Sequence, residues 1–150
     1  MGDAKNDDLR VSFDSRLRVK FIGRKVTTDA GLLAYREIDE MLGLTGMGLE
    51  MLTDSRLGCN KQHGLVPLLR QSIYSRLAGY EDVNDAERLC VDPAMRHVVG
   101  GRASQPEKQA ASTSEVGRFE TEILSTQDNL RKLMDLSGKW IDRVHQRQPL

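Results

Sequence analysis

The feature that most constrains the fold of this chain is an apolar stripe with helical spacing near its middle. Five apolar residues recur there at intervals of three and four, which places them on one face of an α-helix. They are Leu65, Leu68, Leu69, Ile73 and Leu77. Pro67 is tolerated in the first turn of such a helix, and Gly79 lies just past its end. The stripe therefore predicts a helix at the centre of a hydrophobic core.

Similar spacing predicts a helix earlier in the chain. Thr28 and Asp29 can cap its start, and Gly43 is suited to its end. The residues expected on its buried face are Ala30, Leu33, Ala34, Ile38, Met41 and Leu42. A short apolar segment follows at residues 49–52, and the polar stretch at 53–63 is predicted to be a loop.

The second half of the chain carries further helix signals. Residues 82–90 are a short helical segment, and Asp92 and Pro93 predict the start of another that runs to residue 99. Ser112 and Glu115 have the spacing of a capping box, so a helix should continue from there to about residue 124. A C-terminal helix with Gly138 inside it is marked by Leu130, Leu133, Met134, Ile141 and Val144.

The N-terminal region differs, because its charge is unevenly distributed. Residues 1–15 are acidic and polar with few apolar side chains, so they are predicted to form a disordered tail. Residues 17–26 begin with alternating apolar and basic side chains, which is typical of a short strand. The bases of this region are Arg16, Arg18, Lys20, Arg24 and Lys25. They can follow a DNA phosphate backbone or solvate an edge strand, and the sequence leaves both readings open.

These patterns predict a mainly α protein with one short N-terminal strand and one helical domain at residues 16–150. A chain of 150 residues is long enough for one domain with a hydrophobic core. Lys and Arg total 22 and so do Asp and Glu, so the overall charge gives no indication of a nucleic-acid partner.

Location is suggested by what the sequence lacks. Cys59 and Cys90 do not make a disulfide framework, and no apolar signal segment is found at the charged N-terminus. No apolar run approaches the ~20 residues that cross a bilayer. We therefore expect a cytoplasmic protein without a membrane partner, located at the nucleoid.

Patterns for catalysis and metal binding are weak. Cys59 with His63, and Cys90 with His97, do not have the spacing of structural zinc ligands. A two-metal nuclease site needs carboxylates presented from strands, whereas these acids fall on predicted helices or their ends. They are Glu37, Asp39, Glu40, Glu81, Asp82, Asp85, Glu120 and Glu122. The residues therefore predict no catalytic group, no metal and no cofactor in this chain.

Residues 106–124 have the layout of a helix-turn-helix unit. A short helix at 106–111, containing Lys108, is predicted to precede a polar turn and a second helix. Hydroxyls at a helix start can hydrogen-bond phosphates or base edges, and an arginine one turn later can make a two-point hydrogen bond with guanine. The predicted DNA contacts of the second helix are Ser112, Thr113, Ser114 and Arg118. The competing interpretation is an ordinary capped helix whose Arg118 is merely exposed.

Four blocks of the sequence resemble the N-terminal region of DDE transposases from the bacterial insertion-sequence family numbered thirteen-eighty. The blocks are VTTDAGLLAYREIDE at residues 26–40, AGYEDVND at 78–85 with DPA at 92–94, ASTSEVGRFE at 111–120 and KWIDRVH at 139–145. The resemblance implies a helical domain that recognises the terminal inverted repeats of a transposon. It also implies a following ribonuclease-H-like domain, whose three acids bind divalent magnesium.

In that family the first catalytic aspartate lies on a strand soon after the block that matches residues 140–145. Leu150 precedes any such strand, so we expect a truncated form that lacks the catalytic acids and is inactive alone. Two other roles stay open. The domain can hold transposase subunits together as a homodimer with little DNA contact, or it can be an active enzyme, which a cleavage assay would detect.

Overall fold

The fold is mainly helical, as the sequence predicts. The computed structural model describes residues 9–19, 29–57, 61–100 and 109–147. The longer helices are α1 (Gly31–Leu42), α2 (Leu44–Met51), α3 (Leu65–Leu77) and α7 (Gln127–Arg147). Between α3 and α7 lie a 3₁₀ turn (Val83–Asp85) and the short helices α4 (Ala86–Leu89), α5 (Pro93–Val98) and α6 (Thr113–Arg118). The chain continues from α6 as a π-helical turn (Phe119–Leu124).

Helix α3 lies between two groups of buried side chains, which confirms its predicted central place. Its first half contributes to a cluster with α6 and the π-helical turn, made of Leu52, Leu65, Leu68, Leu69, Ala86, Ala111, Val116, Phe119 and Ile123. Its second half contributes to a cluster with α1, α4 and α5, made of Leu32, Tyr74, Leu89, Cys90, Met95, Val98, Val99 and Ala110. Ile73 packs against both clusters, whereas Leu77 at the end of the stripe is half exposed.

The prediction for the buried face of α1 is wrong. Ile38 is 49% exposed and Met41 is 64% exposed, while Arg36 and Asp39 are buried. Burial of Asp39 is possible because its carboxylate accepts hydrogen bonds from the Thr45 backbone at 2.9 Å and from the Tyr74 hydroxyl at 2.9 Å. A buried carboxylate with such partners avoids most of the desolvation cost that an unpaired one would carry. The buried face of α1 is therefore mixed, with the polar residues Arg36 and Asp39 beside Leu32.

Two glycines shape the connection around α2. Gly43 ends α1 with φ of 75°, the left-handed conformation that the sequence predicts for a helix end. Gly48 lies where α2 meets α3 and α7, and a Cβ built on it would be 2.5 Å from Leu69 Cδ2 and 4.0 Å from Leu136 Cδ2. A larger residue at this position would therefore require the Leu69 side chain or the backbone of α2 to shift.

Helix α7 is a continuous 21-residue helix, so the predicted C-terminal helix is confirmed despite Gly138. It runs beside α2 and reaches the end of α1. The Trp140 indole donates to the Leu42 carbonyl at 3.1 Å, and Arg143 pairs with Glu50 at 3.2 Å. The buried residues of α7 are Asn129 and Leu136.

The N-terminal strand is present as a short antiparallel pair. Strand β1 (Leu9–Arg10) pairs with β2 (Arg18–Val19), with Arg10 opposite Arg18. Residues 9–15, which the sequence assigns to a tail, lie against α1, since Val11 is buried and the Ser12 backbone donates to Glu37 at 2.7 Å. Residues 1–8, and residues 20–26 of the predicted strand, lie outside the described residues.

Candidate nucleic-acid interface

The segment that leads into α6 is not helical. A helix was expected at residues 106–111, but residues 109–112 belong to no helix, and 106–108 lie outside the described residues. The Gln71 side chain donates to the Ala111 carbonyl at 2.7 Å and accepts from the Ala111 amide at 2.8 Å. The Ala110 amide donates to the Cys90 carbonyl at 2.9 Å. These backbone groups are bonded to other parts of the chain, so they are not available to a helix.

The start of α6 is fixed by the capping box that the sequence predicts. The Ser112 hydroxyl accepts from the Glu115 amide at 3.4 Å, and the Glu115 carboxylate accepts from the Ser112 amide at 3.1 Å. Together with Gln71, the box sets the direction in which the helix leaves the core. The helix then continues through the π-helical turn to Leu124, as predicted.

The four predicted contact residues of α6 do not share one surface. The hydroxyl oxygen of Thr113 is buried and has no hydrogen-bond partner in the described part of the chain, so it does not share the exposed surface of Ser114. Ser112 is exposed, but its hydroxyl serves as the helix cap. Ser114 and Arg118 are exposed and lie one turn apart, and Arg118 Nε donates to the Ser114 carbonyl at 3.2 Å. The exposed face of α6 is therefore defined by Ser114 and Arg118.

The opposite side of this helical segment is anchored in the core. Val116, Phe119 and Ile123 are buried in the first cluster. Glu120 forms a two-point ion pair with Arg76 of α3, at 2.7 and 3.0 Å. Hydrogen bonds from Arg76 hold the pKa of Glu120 below its usual value, against the opposing effect of burial. The exposed face is thus carried by a helix whose position does not depend on DNA.

His63 ties the loop before α3 to the start of α6. Its Nδ1 lies 2.9 Å from Glu115 Oε1, and its Nε2 lies 3.0 Å from the Gln109 carbonyl. Both partners are acceptors, so the two contacts together need an N–H on each ring nitrogen. Burial tends to raise the pKa of Glu115, but hydrogen bonds from His63 and Ser112 outweigh it and lower that pKa.

The loop between α2 and α3 also carries basic residues that no sequence pattern marks. Arg56 and Lys61 line a shallow groove of about 230 Å³ together with Arg118, and Glu115 and Glu122 also line it. Arg56 pairs with Asp54 at 2.7 Å and donates to the His63 carbonyl at 3.0 Å. Its hydrogen bonds hold the pKa of Asp54 well below the usual value. Arg56 and Lys61 are five residues apart and follow no helical or strand spacing, so the sequence alone does not predict that they lie together.

The predicted N-terminal contacts are only partly described. Arg16 is exposed and donates to Asp14 at 3.1 Å through Nε. It belongs to the turn before β2 and contributes to the electrostatic surroundings of His97 on α5, whose pKa is lowered mainly by burial. Arg18 lies in β2. Lys20, Arg24, Lys25 and Lys108 lie outside the described residues.

No group of three or more histidine, cysteine, aspartate or glutamate side chains able to hold a metal occurs in the described ranges. Cys59 is not described, and burial raises the pKa of the Cys90 thiol, which disfavours the thiolate that zinc requires.

Arg118 is thus presented by a helix that is capped at its start and buried on its opposite face. Residues 9–149 match the family described as Transposase DDE domain group 1. The chain belongs to this family of DDE transposases. No curated protein matches the chain, and no solved structure does.

A membrane-spanning role finds no support in the described helices. None of them combines the length and the apolar character that a bilayer crossing requires.

Proposed function

We propose that this chain supplies DNA recognition to a bacterial insertion-sequence transposase and binds the terminal inverted repeats of the transposon. The observation that carries the proposal is the exposed pair Ser114 and Arg118 on α6, a helix fixed by its cap and its buried face. Family membership supports a role in transposition, which acts on DNA.

The geometry of Arg118 suits base recognition. Its guanidinium has several N–H donors, and only Nε is engaged with the Ser114 carbonyl among the contacts of the described residues. A guanidinium presented from a rigid helix can make the two-point contact with guanine that distinguishes bases in the major groove. Lys61 on the adjacent loop can contribute a contact to a phosphate, which adds affinity without sequence preference.

The experiment compares binding to transposon-end duplex and to random duplex by fluorescence anisotropy over a range of salt concentrations. Affinity should fall as salt rises, because phosphate contacts release counterions. Arg118→Ala should reduce the preference for end sequence by about 1 to 3 kcal/mol. Arg118→Lys should lose much of that preference as well, since lysine keeps the charge but lacks the planar guanidinium that makes the two-point contact.

Lys139→Ala is the matched control, because Lys139 is an exposed base on α7 and its loss removes the same charge. It should leave the preference for end sequence unchanged. Equal and negligible binding to both duplexes by the unaltered chain would refute the proposal.

The alternative role is contact between transposase subunits with little DNA binding. Sedimentation with and without DNA separates the two. An oligomer that forms without DNA and ignores duplex favours subunit contact, whereas binding that discriminates between duplexes favours recognition.

A further inference from the structure

The loop between α2 and α3, here called the α2–α3 loop, is attached to the α6 segment at both of its ends. At its start, the Thr53 amide donates to Asn129 Oδ1 and Asn129 Nδ2 donates to the Thr53 carbonyl, both at 2.8 Å. The same Nδ2 donates to the Ile123 carbonyl of the π-helical turn at 2.9 Å. At the other end, His63 Nδ1 lies 2.9 Å from Glu115 Oε1, in the first turn of α6.

The two attachments differ in how they depend on pH. Asn129 bonds through a neutral amide, which does not titrate. His63 lies between two acceptors, because its Nδ1 faces the Glu115 carboxylate and its Nε2 lies 3.0 Å from the Gln109 carbonyl. A neutral imidazole has a single N–H and can donate to only one of them. The imidazolium has an N–H on each nitrogen and can donate to both.

The charged groups that share the surroundings of His63 come from α5 and α6. Burial tends to raise the pKa of Glu115, but hydrogen bonds from His63 and Ser112 outweigh it, so Glu115 is a carboxylate at neutral pH. Arg96 of α5 lines the same cavity and acts against a positive charge on the ring. Glu115 touches the ring and acts in favour of that charge, and the attraction is strongest at contact distance.

The bases of the α2–α3 loop are connected to His63 through the loop itself. Arg56 and Lys61 pair with Asp54, at 2.7 and 3.4 Å. Arg56 also donates to the His63 carbonyl at 3.0 Å. Both bases line the groove that Arg118 lines from the side of α6. A change in the contacts of His63 therefore acts on the loop bases as well as on the start of α6.

We propose that His63 is a positioning residue that holds the α2–α3 loop against α6 by two contacts as an imidazolium and by one contact as a neutral ring. Histidine side chains ordinarily change charge between pH 5 and 8. Both contacts form on the acid side of this range, and one is lost on the alkaline side. Lys61 is then held less firmly relative to Arg118. The effect on DNA binding rests on the proposed function, whereas the change of contact does not.

Nuclear magnetic resonance of the imidazole nitrogens tests the contact directly, on the whole 150-residue chain without DNA. Both ring nitrogens of His63 should carry a proton at about pH 5.5, and one should be unprotonated at about pH 8. His63→Asn assigns the signals, since this chain has 3 histidines. A ring with one unprotonated nitrogen at about pH 5.5 would overturn the proposal without recourse to any variant.

Amide hydrogen exchange, corrected for the intrinsic rate at each pH, measures the effect on the loop. Residues 61–64 should exchange several-fold faster at about pH 8 than at about pH 5.5. The Thr53 amide is the internal control, because its acceptor on Asn129 does not titrate.

Two histidine variants separate His63 from general effects of pH. His63→Asn keeps one N–H donor but cannot gain a second by protonation, so exchange at residues 61–64 should no longer depend on pH. His145→Asn, at an exposed position of α7, is the matched control and should keep the full dependence. Equal pH dependence in the unaltered chain and in His63→Asn would contradict the proposal.

DNA binding at the two pH values tests the consequence for recognition. The unaltered chain should bind transposon-end duplex several-fold more tightly at about pH 5.5 than at about pH 8, and His63→Asn should lose this difference. Binding that depends on pH equally in both proteins would refute the link from His63 to recognition. Failure of the unaltered chain to bind duplex at either pH would refute the proposed function, and the nitrogen signals would still decide the role of His63.

Discussion

Gln71 and Ala111 are joined by two hydrogen bonds, one in each direction, between a buried side-chain amide and a backbone peptide group. The amide of Gln71 thereby acts as a short piece of backbone that pairs with the segment entering α6. Because the residues are 40 positions apart, this contact links the central helix to the start of the proposed recognition helix.

Replacing Gln71 by leucine should destabilise the fold by about 2 to 4 kcal/mol, since it leaves the Ala111 amide and carbonyl buried without partners. Urea unfolding followed by circular dichroism measures the change. Gln127→Leu, at the exposed start of α7, is the control and should change stability little. A loss no larger than in the control would show that Gln71 does not hold this segment.

Removing the carboxylate of Asp39 should cost about 3 to 5 kcal/mol, as expected when one member of a buried charged network is deleted. Asp39 accepts hydrogen bonds from Thr45 and Tyr74, and its carboxylate lies 3.8 Å from both Arg36 and Arg70. Thermal unfolding of Asp39→Ala measures the cost. Asp135→Ala on the exposed side of α7 should be close to neutral.

Stability should fall in acid partly through Glu120. Arg76 lowers the pKa of this carboxyl in the folded chain, so the unfolded chain binds protons more readily. The stabilisation from Glu120 is therefore complete above the unfolded pKa, about 4.3, and is lost as pH falls through the lower folded value.

Unfolding free energies measured at neutral pH and in the acid range test this. Glu120→Gln should be less stable than the unaltered chain at neutral pH, and its stability should depend less on pH below about 4.3. Glu122→Gln, at an exposed position, should keep the full dependence. An identical acid dependence in all three proteins would contradict the role of the Arg76 pair.

Two glycine-to-alanine changes should have opposite effects on stability. Gly43 has φ of 75°, so Gly43→Ala places a side chain in the left-handed region and should cost about 1 to 2 kcal/mol. Gly138 lies inside a helix with open space at its Cβ, so Gly138→Ala should stabilise the fold by up to about 1 kcal/mol. Melting temperatures of the two variants check both signs.

Features set by neighbouring residues could be predicted from the sequence. The stripe of α3, the Asp92 cap of α5 and the capping box of Ser112 all depend on spacings of four residues or fewer. The end of α1 at Gly43 belongs to the same group, because the requirement for a left-handed residue is local.

Features set by distant partners could not be predicted from the sequence. Asp39 is buried on the same face of α1 as Leu32 because Tyr74, 35 residues away, donates a hydrogen bond to its carboxylate, and counting apolar residues cannot detect such a partner. The segment at 109–112 belongs to no helix because Gln71 bonds its backbone, although its composition suits a helix. In the candidate site, Ser114 and Arg118 follow from helix periodicity, while Arg56 and Lys61 reach the same groove only through the fold of a loop.

Gly48 lies where α2 packs closely against α3 and α7. A methyl group at this position would fall 2.5 Å from Leu69 Cδ2 and 4.0 Å from Leu136 Cδ2, so Leu69 would have to change its side-chain conformation or α2 would have to shift. With Leu69 in its observed position, the bare backbone of α2 at Gly48 forms part of the packing between α2, α3 and α7.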